Sequence, residues 1–222
     1  MKISPEIIER YRKTEPATYG HFPGVNFMDS GIKPVSKHTR MAGQAYTLRL
    51  PSNDSAMLYK ALKEAEEGSV LVIDRVGDTN FAPVGEMIVR NAYARKLAGI
   101  VVDGAITDFL ALEEIGLPVF YRTVSVATTS VWGIIGERQI DIQCGGAVVR
   151  PGDLILGNVD GVVVLPPMED LTLLEKAEKI EQREVIMREK FAQGIDQLLD
   201  VDQLLEANIM EIIQTEKEKG RK

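Results

Sequence analysis

Between residues 43 and 121, short apolar runs rich in β-branched residues alternate with stretches whose apolar positions recur every three or four residues. Residues 45–50 alternate as a strand does, and 70–74, 100–102 and 119–121 form the unbroken apolar runs of buried strands. Between them, 54–67 places Ala56, Leu58, Leu62 and Ala65 near a 3.6-residue period and stops at Gly68. Residues 84–97 and 108–115 read as further helices, the last stopped by Gly116. Strand, helix, strand in repetition predicts a mixed α/β core with parallel strand pairs. Ahead of it, Ser4-Pro5-Glu6 has the N-cap, first-turn proline and dipole-compatible acid of a helix start, fading near Lys13. Residues 18–37 read as irregular or lightly structured.

After Ser130 the texture becomes β without helices. Residues 140–143, 147–149, 154–157 and 161–165 are short runs split by Gly-Gly, Pro-Gly-Asp and Asp-Gly turns. Pro166-Pro167 then introduces two long helices, about 169–193 and 201–219, the second with Leu204, Leu205, Ile209, Ile212 and Ile213 along one side. No repeat or low-complexity linker divides the chain, so the expectation is one α/β domain over 1–194 and a C-terminal helical extension over 195–222.

Composition narrows the function classes. With 26 Lys+Arg against 33 Asp+Glu the 222-residue chain carries a net charge of −7, which disfavours nucleic acid as a partner. No apolar stretch approaches the ~20 residues of a membrane span, and no apolar leader follows Met1, so the expected location is cytoplasmic. One cysteine and two histidines leave little for thiolate clusters, His-rich metal sites or histidine triads. The phosphate-loop, dinucleotide, zinc-protease and nucleophile-elbow motifs are all missing. Cys144 is expected to pack as a small hydrophobe, Trp132 to lie in the core, and His21 to be a surface or turn residue.

What remains is oxygen chemistry. Val84-Gly85-Glu86-Met87-Ile88 falls at a helix start, where unpaired backbone N–H groups hold carboxylates or phosphates. Asp103 to Asp108 follows the strand at 100–102, so its acids emerge at a strand's C-terminal end, the usual ligand edge of an open parallel sheet. Two carboxylates brought together there suit Mg²⁺, which keeps several waters. Spacing alone favours a plainer account, Glu86 as a helix-start acid and Asp108 as an N-cap.

The run Gly85-Glu86-Met87, then Ala98-Gly99-Ile100-Val101-Val102-Asp103-Gly104-Ala105, Asp108 and Gly116-Leu117-Pro118-Val119-Phe120 resembles the RraA-like family (regulator of ribonuclease activity A). That family is shared with class II pyruvate aldolases such as 4-hydroxy-4-methyl-2-oxoglutarate aldolase. Gly43-Gln44-Ala45-Tyr46-Thr47, Pro151-Gly152-Asp153-Leu154-Ile155 and Asp160-Gly161-Val162-Val163-Val164-Leu165-Pro166 extend the likeness over about 16–194. The resemblance implies a layered α-β-β-α sandwich with mixed sheets, of the swivelling β/β/α kind, assembling as a homotrimer or homohexamer with sites between subunits. It implies a lyase, aldolase or oxaloacetate-type decarboxylase, acting on a small 2-oxo acid with Mg²⁺ (or Mn²⁺). Its non-catalytic branch instead inhibits ribonuclease E by protein contact.

Carried over by the same resemblance, Asp108 is the metal ligand and Glu86 holds a metal-bound water. The N–H groups of Gly85, Glu86, Met87 and Ile88 receive the pyruvyl carboxylate, and Glu184 is the acid lent by a neighbouring subunit. The family's aldolases show an acid, twenty intervening residues, then Arg-Asp; this chain has Glu86, twenty residues, then Thr107-Asp108. Thr107 thus occupies the catalytic and substrate-binding place of an arginine, and a neutral hydroxyl cannot act as a charged fork. Loss of one such donor to a developing oxyanion costs about 2.7–4 kcal/mol. Arg90 and Arg122 are the candidates for replacing the charge. Asn158 is a second departure, standing where the family more often has an acid.

Overall fold

Ser4 caps the first helix as its sequence predicts: its Oγ accepts the Ile7 N–H at 3.4 Å and α1 runs Pro5–Lys13. The computed structural model describes residues 2–167 and 171–195, in two compact units, Met1–Glu178 and Lys179–Lys222. After a 3-10 turn (Pro16–His21), two-residue strands β1 (Asn26–Phe27) and β2 (Lys33–Pro34) lie within the segment expected to be irregular or lightly structured. The alternating core follows as β3 (Met41–Arg49), α2 (Ala56–Glu64), β4 (Val70–Asp74), α3 (Glu86–Ala94), β5 (Gly99–Ile106), α4 (Phe109–Ile115) and β6 (Val119–Val124). Then come β7 (Glu137–Arg138), β8 (Ile142–Cys144), β9 (Ala147–Val149), β10 (Leu154–Asn158), β11 (Gly161–Leu165) and α5 (Thr172–Ala192). The second expected helix, 201–219, lies outside the described residues.

The protein is a mixed α/β protein with a curled mixed sheet and a C-terminal helix. Nine strands share one sheet, in the order β1-β11-β10-β3-β4-β5-β6-β2 with β7 on β3, and β8-β9 form a separate hairpin. Strand β3 makes the sheet continuous. Residues 41–44 pair antiparallel with β10, and residues 45–49 pair parallel with β4. The pairs β3–β4, β4–β5 and β5–β6 are all parallel, as the strand–helix rhythm predicts.

Side-chain alternation sorts the core into three clusters. Leu48, Leu71, Ile73, Ile100 and Val102 meet Leu58 and Leu62 of α2, Ile88 and Val89 of α3, and Leu112 of α4. The opposite faces of the same strands, through Val70, Val72, Val101 and Phe120, pack with Ile142, Cys144 and Val149 of the hairpin and with Ile155, Val162 and Val164. On the far face of β10–β11, Leu154, Leu156, Val163 and Leu165 meet Tyr11, Tyr19, Leu174 and Ala177. Each buried Leu, Ile or Val contributes about 1.5–3 kcal/mol, whereas exposed pairs such as Lys2–Glu66 contribute about 0–1 kcal/mol. Apolar burial therefore holds the fold. Cys144 belongs to it; Trp132 does not, being 60% exposed on the 125–135 loop, contrary to its expected place in the core. His21 is exposed, as expected.

Candidate metal and carboxylate site

The C-terminal end of β5 and the start of α3 are stitched together by backbone. Val84 bridges Ile106, and the Thr107 N–H donates to the Val84 carbonyl at 2.9 Å. This sets residues 84–86 beside 106–108. Asp108 sits at the N-cap position of α4, yet its side chain caps nothing there. Its backbone is left-handed (φ 55°, ψ 38°), a conformation aspartate tolerates better than most residues. The carboxylate instead turns to the neighbouring helix, where Oδ2 accepts the Glu86 N–H at 3.0 Å. Thr107 Oγ1 donates to Oδ1 at 3.4 Å. The N-cap expectation thus holds for position but not for the bond, since the helix satisfied is α3.

Gly85 makes the approach possible. A Cβ there would stand 2.6 Å from Asp108 Oδ2 and 2.7 Å from Thr107 Cγ2. With the Glu86 N–H given to Asp108, the first-turn amides of Met87 and Ile88 have no residue four positions back inside the helix to bond. A negative ligand beside them would also meet the positive end of the helix dipole. Glu86 Oε1 accepts Arg90 Nε at 2.7 Å across one helical turn, both side chains partly exposed.

Arg122, the other candidate for the missing charge, is committed elsewhere. Its Nε donates to Asp103, and its two terminal nitrogens donate to Asp29 at 3.2 and 2.7 Å. Hydrogen bonding from Arg122 draws the Asp29 carboxyl below its usual range, and the same bonds raise the guanidinium further. Asp103 Oδ2 also accepts the Gly145 N–H at 2.7 Å, so the trio ties β5 and β6 to the β8–β9 hairpin. Asn158 is buried and donates to Glu15 at 2.9 Å. Glu184 lies on α5 in the second unit, in an i,i+4 ion pair with Arg188 at 3.0 Å.

Among the described residues no three His, Cys, Asp or Glu side chains converge as a metal cage. Asp108, with Thr107 beside it and Glu86 bonded to it through its backbone N–H, offers hard oxygen donors that would take a divalent cation. That donor set fits Mg²⁺, which is commonly held by one or two carboxylates and keeps much of its hydration. A groove of about 920 Å³ lies at the other edge of the sheet, by Gly68, Ala98 and Pro118 ahead of β4, β5 and β6. None of the residues 85–88, 107 or 108 lines it. Its Lys2, Arg12, Arg40 and Lys96 are already paired with glutamates, so it presents no uncommitted lysine or arginine to an anion.

Two buried polar residues beyond the C-terminal ends of β3 and β4, Asp54 and Arg75, carry no motif in the sequence. Asp54 accepts N–H groups from Ala56, Trp132, Gly133, Ile134 and Ile135 at 2.6–3.3 Å, binding the 125–135 loop to the start of α2. Arg75, directly after β4, is fully buried. A charged residue ending an otherwise unbroken apolar strand was the available signal for Arg75; nothing local announced Asp54, whose loop partners lie more than seventy residues away.

A family model described as RraA-like: Aldolase/RraA matches residues 9–164. A relative from Halalkalibacterium halodurans, named "Putative 4-hydroxy-4-methyl-2-oxoglutarate aldolase", is 39% identical over 156 residues, 70% of this chain and 74% of its own. The solved RNA-processing inhibitor RraA of Thermus thermophilis is 28% identical with a TM-score of 0.63, covering 69% of this chain and 93% of that one. Streptomyces coelicolor RraAS2, described as an unusual member of the RNase ES inhibitor RraA family, is 27% identical with a TM-score of 0.75. It covers 85% of this chain and 98% of its own.

Proposed function

Because the chain belongs to the RraA-like family, we propose that it is a divalent-metal-dependent lyase of 2-oxo acids, releasing pyruvate by retro-aldol cleavage or decarboxylating oxaloacetate. One observation carries this reading: the Asp108 carboxylate is turned onto the start of α3, which sets a hard anionic ligand beside first-turn amides that have no acceptor four residues back inside the helix. A simple N-cap would have left that carboxylate on α4.

In this reading Asp108 holds Mg²⁺ or Mn²⁺, and Glu86 holds a water next to it. The bound ion would act as a Lewis acid toward the 2-oxo oxygen. The Met87 and Ile88 amides, flanked by Gly85 and Glu86, receive the substrate carboxylate and orient it. Glu86, with Glu184 lent by a neighbouring subunit, positions the water that takes the proton from the 4-hydroxyl as the C3–C4 bond breaks. Thr107 offers its hydroxyl where a permanent charge would serve better, so turnover is slow or the substrate altered. An α-β-β-α sandwich of the swivelling kind over residues 1–194, with a helical extension over 195–222, goes with this family. So do self-association as a trimer or hexamer and a cytoplasmic location; no described helix is long and apolar enough to cross a membrane.

The test is pyruvate release from 4-hydroxy-4-methyl-2-oxoglutarate and from oxaloacetate, with Mg²⁺ and with EDTA. Turnover above that of free Mg²⁺, abolished by Asp108→Ala and raised by Thr107→Arg, is expected; none above free Mg²⁺ ends the lyase reading. Thr107 itself favours a second reading, a regulator that binds protein without catalysis, like the RNase inhibitors to which the chain is structurally similar. Inhibition of ribonuclease E in the absence of pyruvate release would select it.

A further inference from the structure

The helix start that forms the proposed site hangs on the connection 75–85, and the structure shows what anchors that connection. Arg75 is 0% exposed and extends its guanidinium between two loops. One terminal nitrogen donates to the Leu50 carbonyl; the other donates to the Ser52 and Phe81 carbonyls and to Asp78 Oδ2, the last two at 3.2 and 3.0 Å. Asp78 in turn accepts the N–H groups of Asn80 and Phe81 at 2.7 and 3.2 Å. Only arginine offers a planar fork that can serve acceptors on both sides at once.

A buried guanidinium is costly unless paired and hydrogen-bonded, and Arg75 Nε has no partner even so. A residue kept under that penalty fixes something. Strand β5 makes room for it: a Cβ on Gly104 would lie 2.4 Å from Arg75 Cγ and 2.9 Å from the Asp78 carbonyl oxygen. Beyond Phe81 little slack remains. The Ala82 N–H donates to Ala127 at 2.8 Å, Val84 bridges Ile106, and Gly85 follows against Asp108. Only this four-residue segment separates the Phe81 carbonyl from the first-turn amides of α3.

We propose that Arg75 is the positioning residue for the carboxylate-binding amides at the start of α3, locking the β3–α2 and β4–α3 connections in register. The proposal rests on the site reading above for its catalytic consequence, but not for the clamp itself. Its test compares the full chain with Arg75→Lys and Arg75→Met by hydrogen exchange and by pyruvate-release kinetics. Exchange of the hydrogen-bonded amides of Phe81, Ala82 and Glu86, and of Leu50 and Ser55 on the facing connection, should quicken several-fold in both variants while the β5 amides stay protected. Misplacement of this kind lowers kcat/KM by about a hundredfold, carried mainly by KM because the carboxylate is gripped in both ground and transition states. Lysine, charged but unforked, should fail nearly as badly as methionine; full recovery by lysine would show that charge and not geometry matters, and would overturn the proposal. Unchanged exchange at Phe81, Ala82 and Glu86, or a rise spread evenly over all strands, would also overturn it. Should both variants fail to fold, Gly104→Ala presses on the clamp without removing it and must reproduce the local exchange change. A wild-type chain without lyase activity would end the function reading yet leave the exchange result to decide the clamp.

Discussion

Asp108 and Gly85 form the tightest approach in the candidate site, and a single methyl group tests it. Gly85 has φ −139° and ψ −169°, an extended conformation open to any residue, so Gly85→Ala brings no backbone strain. The added Cβ collides only with the Asp108 carboxylate and the Thr107 methyl. Asp108 must give way and release the Glu86 N–H. Pyruvate release is expected to fall about a hundredfold, as for a misplacement near 1 Å, while calorimetry shows Tm lower by only a few degrees. Cys144 provides a contrasting check. Burial, with Asp103 and Asp74 nearby, pushes its thiol well above the usual range, and the thiolate is the reactive form. Titration with a disulfide reagent should find no reactive thiol in the folded chain and one after denaturation.

At the scale of elements, the 125–135 loop owes its shape to one carboxylate. Asp54 gathers five backbone N–H groups, four from residues 132–135. The N–H of Ala56 and those of the loop hold its carboxyl far below the ordinary range, against the opposing effect of desolvation. A carboxylate with a depressed folded pKa stabilises above its unfolded value of about 3.9 and loses that contribution as pH falls through the folded one. Asp54→Asn should therefore lower Tm by several degrees at pH 7, with the gap to wild type closing below about pH 4. Chymotrypsin should cut after Trp132 much faster in the variant. The same contrast of local and distant causes explains what could be read from sequence. Strands β4, β9 and β11 have the bounds their apolar runs predict: in β4 and β11 burial on both faces is written into consecutive residues, and in β9 exposed Val148 lies between buried Ala147 and Val149. Strands β1, β2 and β7 are two-residue edge pairings of mostly exposed positions and carry no such pattern. In the site, Glu86 and Asp108 were legible as acids at helix starts. Which helix Asp108 would serve was not, since that depends on a left-handed residue and a bridge from Val84 to Ile106.

For the whole molecule, the distribution of apolar surface bears on assembly. The net charge of −7 sets copies of the chain to repel one another, so association needs a patch that outweighs it. Beyond the end of β6, Val126 is 97% exposed, and Val131, Trp132 and Ile134 follow at 62%, 60% and 73% on the loop that Asp54 holds in place. Met87 and Leu110, on the two helices that flank Asp108, are as open. Large apolar side chains on a preordered loop lose little entropy on docking, and a tryptophan among them is the residue type that most often anchors an interface. Light scattering on the wild type should accordingly give a mass several times the 24.5 kDa of one chain. Trp132→Asp with Ile134→Lys places two charges where desolvation would be required, and should yield a folded monomer. If Glu184 is lent by a neighbour, that monomer also loses pyruvate release although Asp108, Glu86 and the α3 amides are untouched. A monomer with undiminished turnover would place every catalytic group within one chain and remove Glu184 from the site.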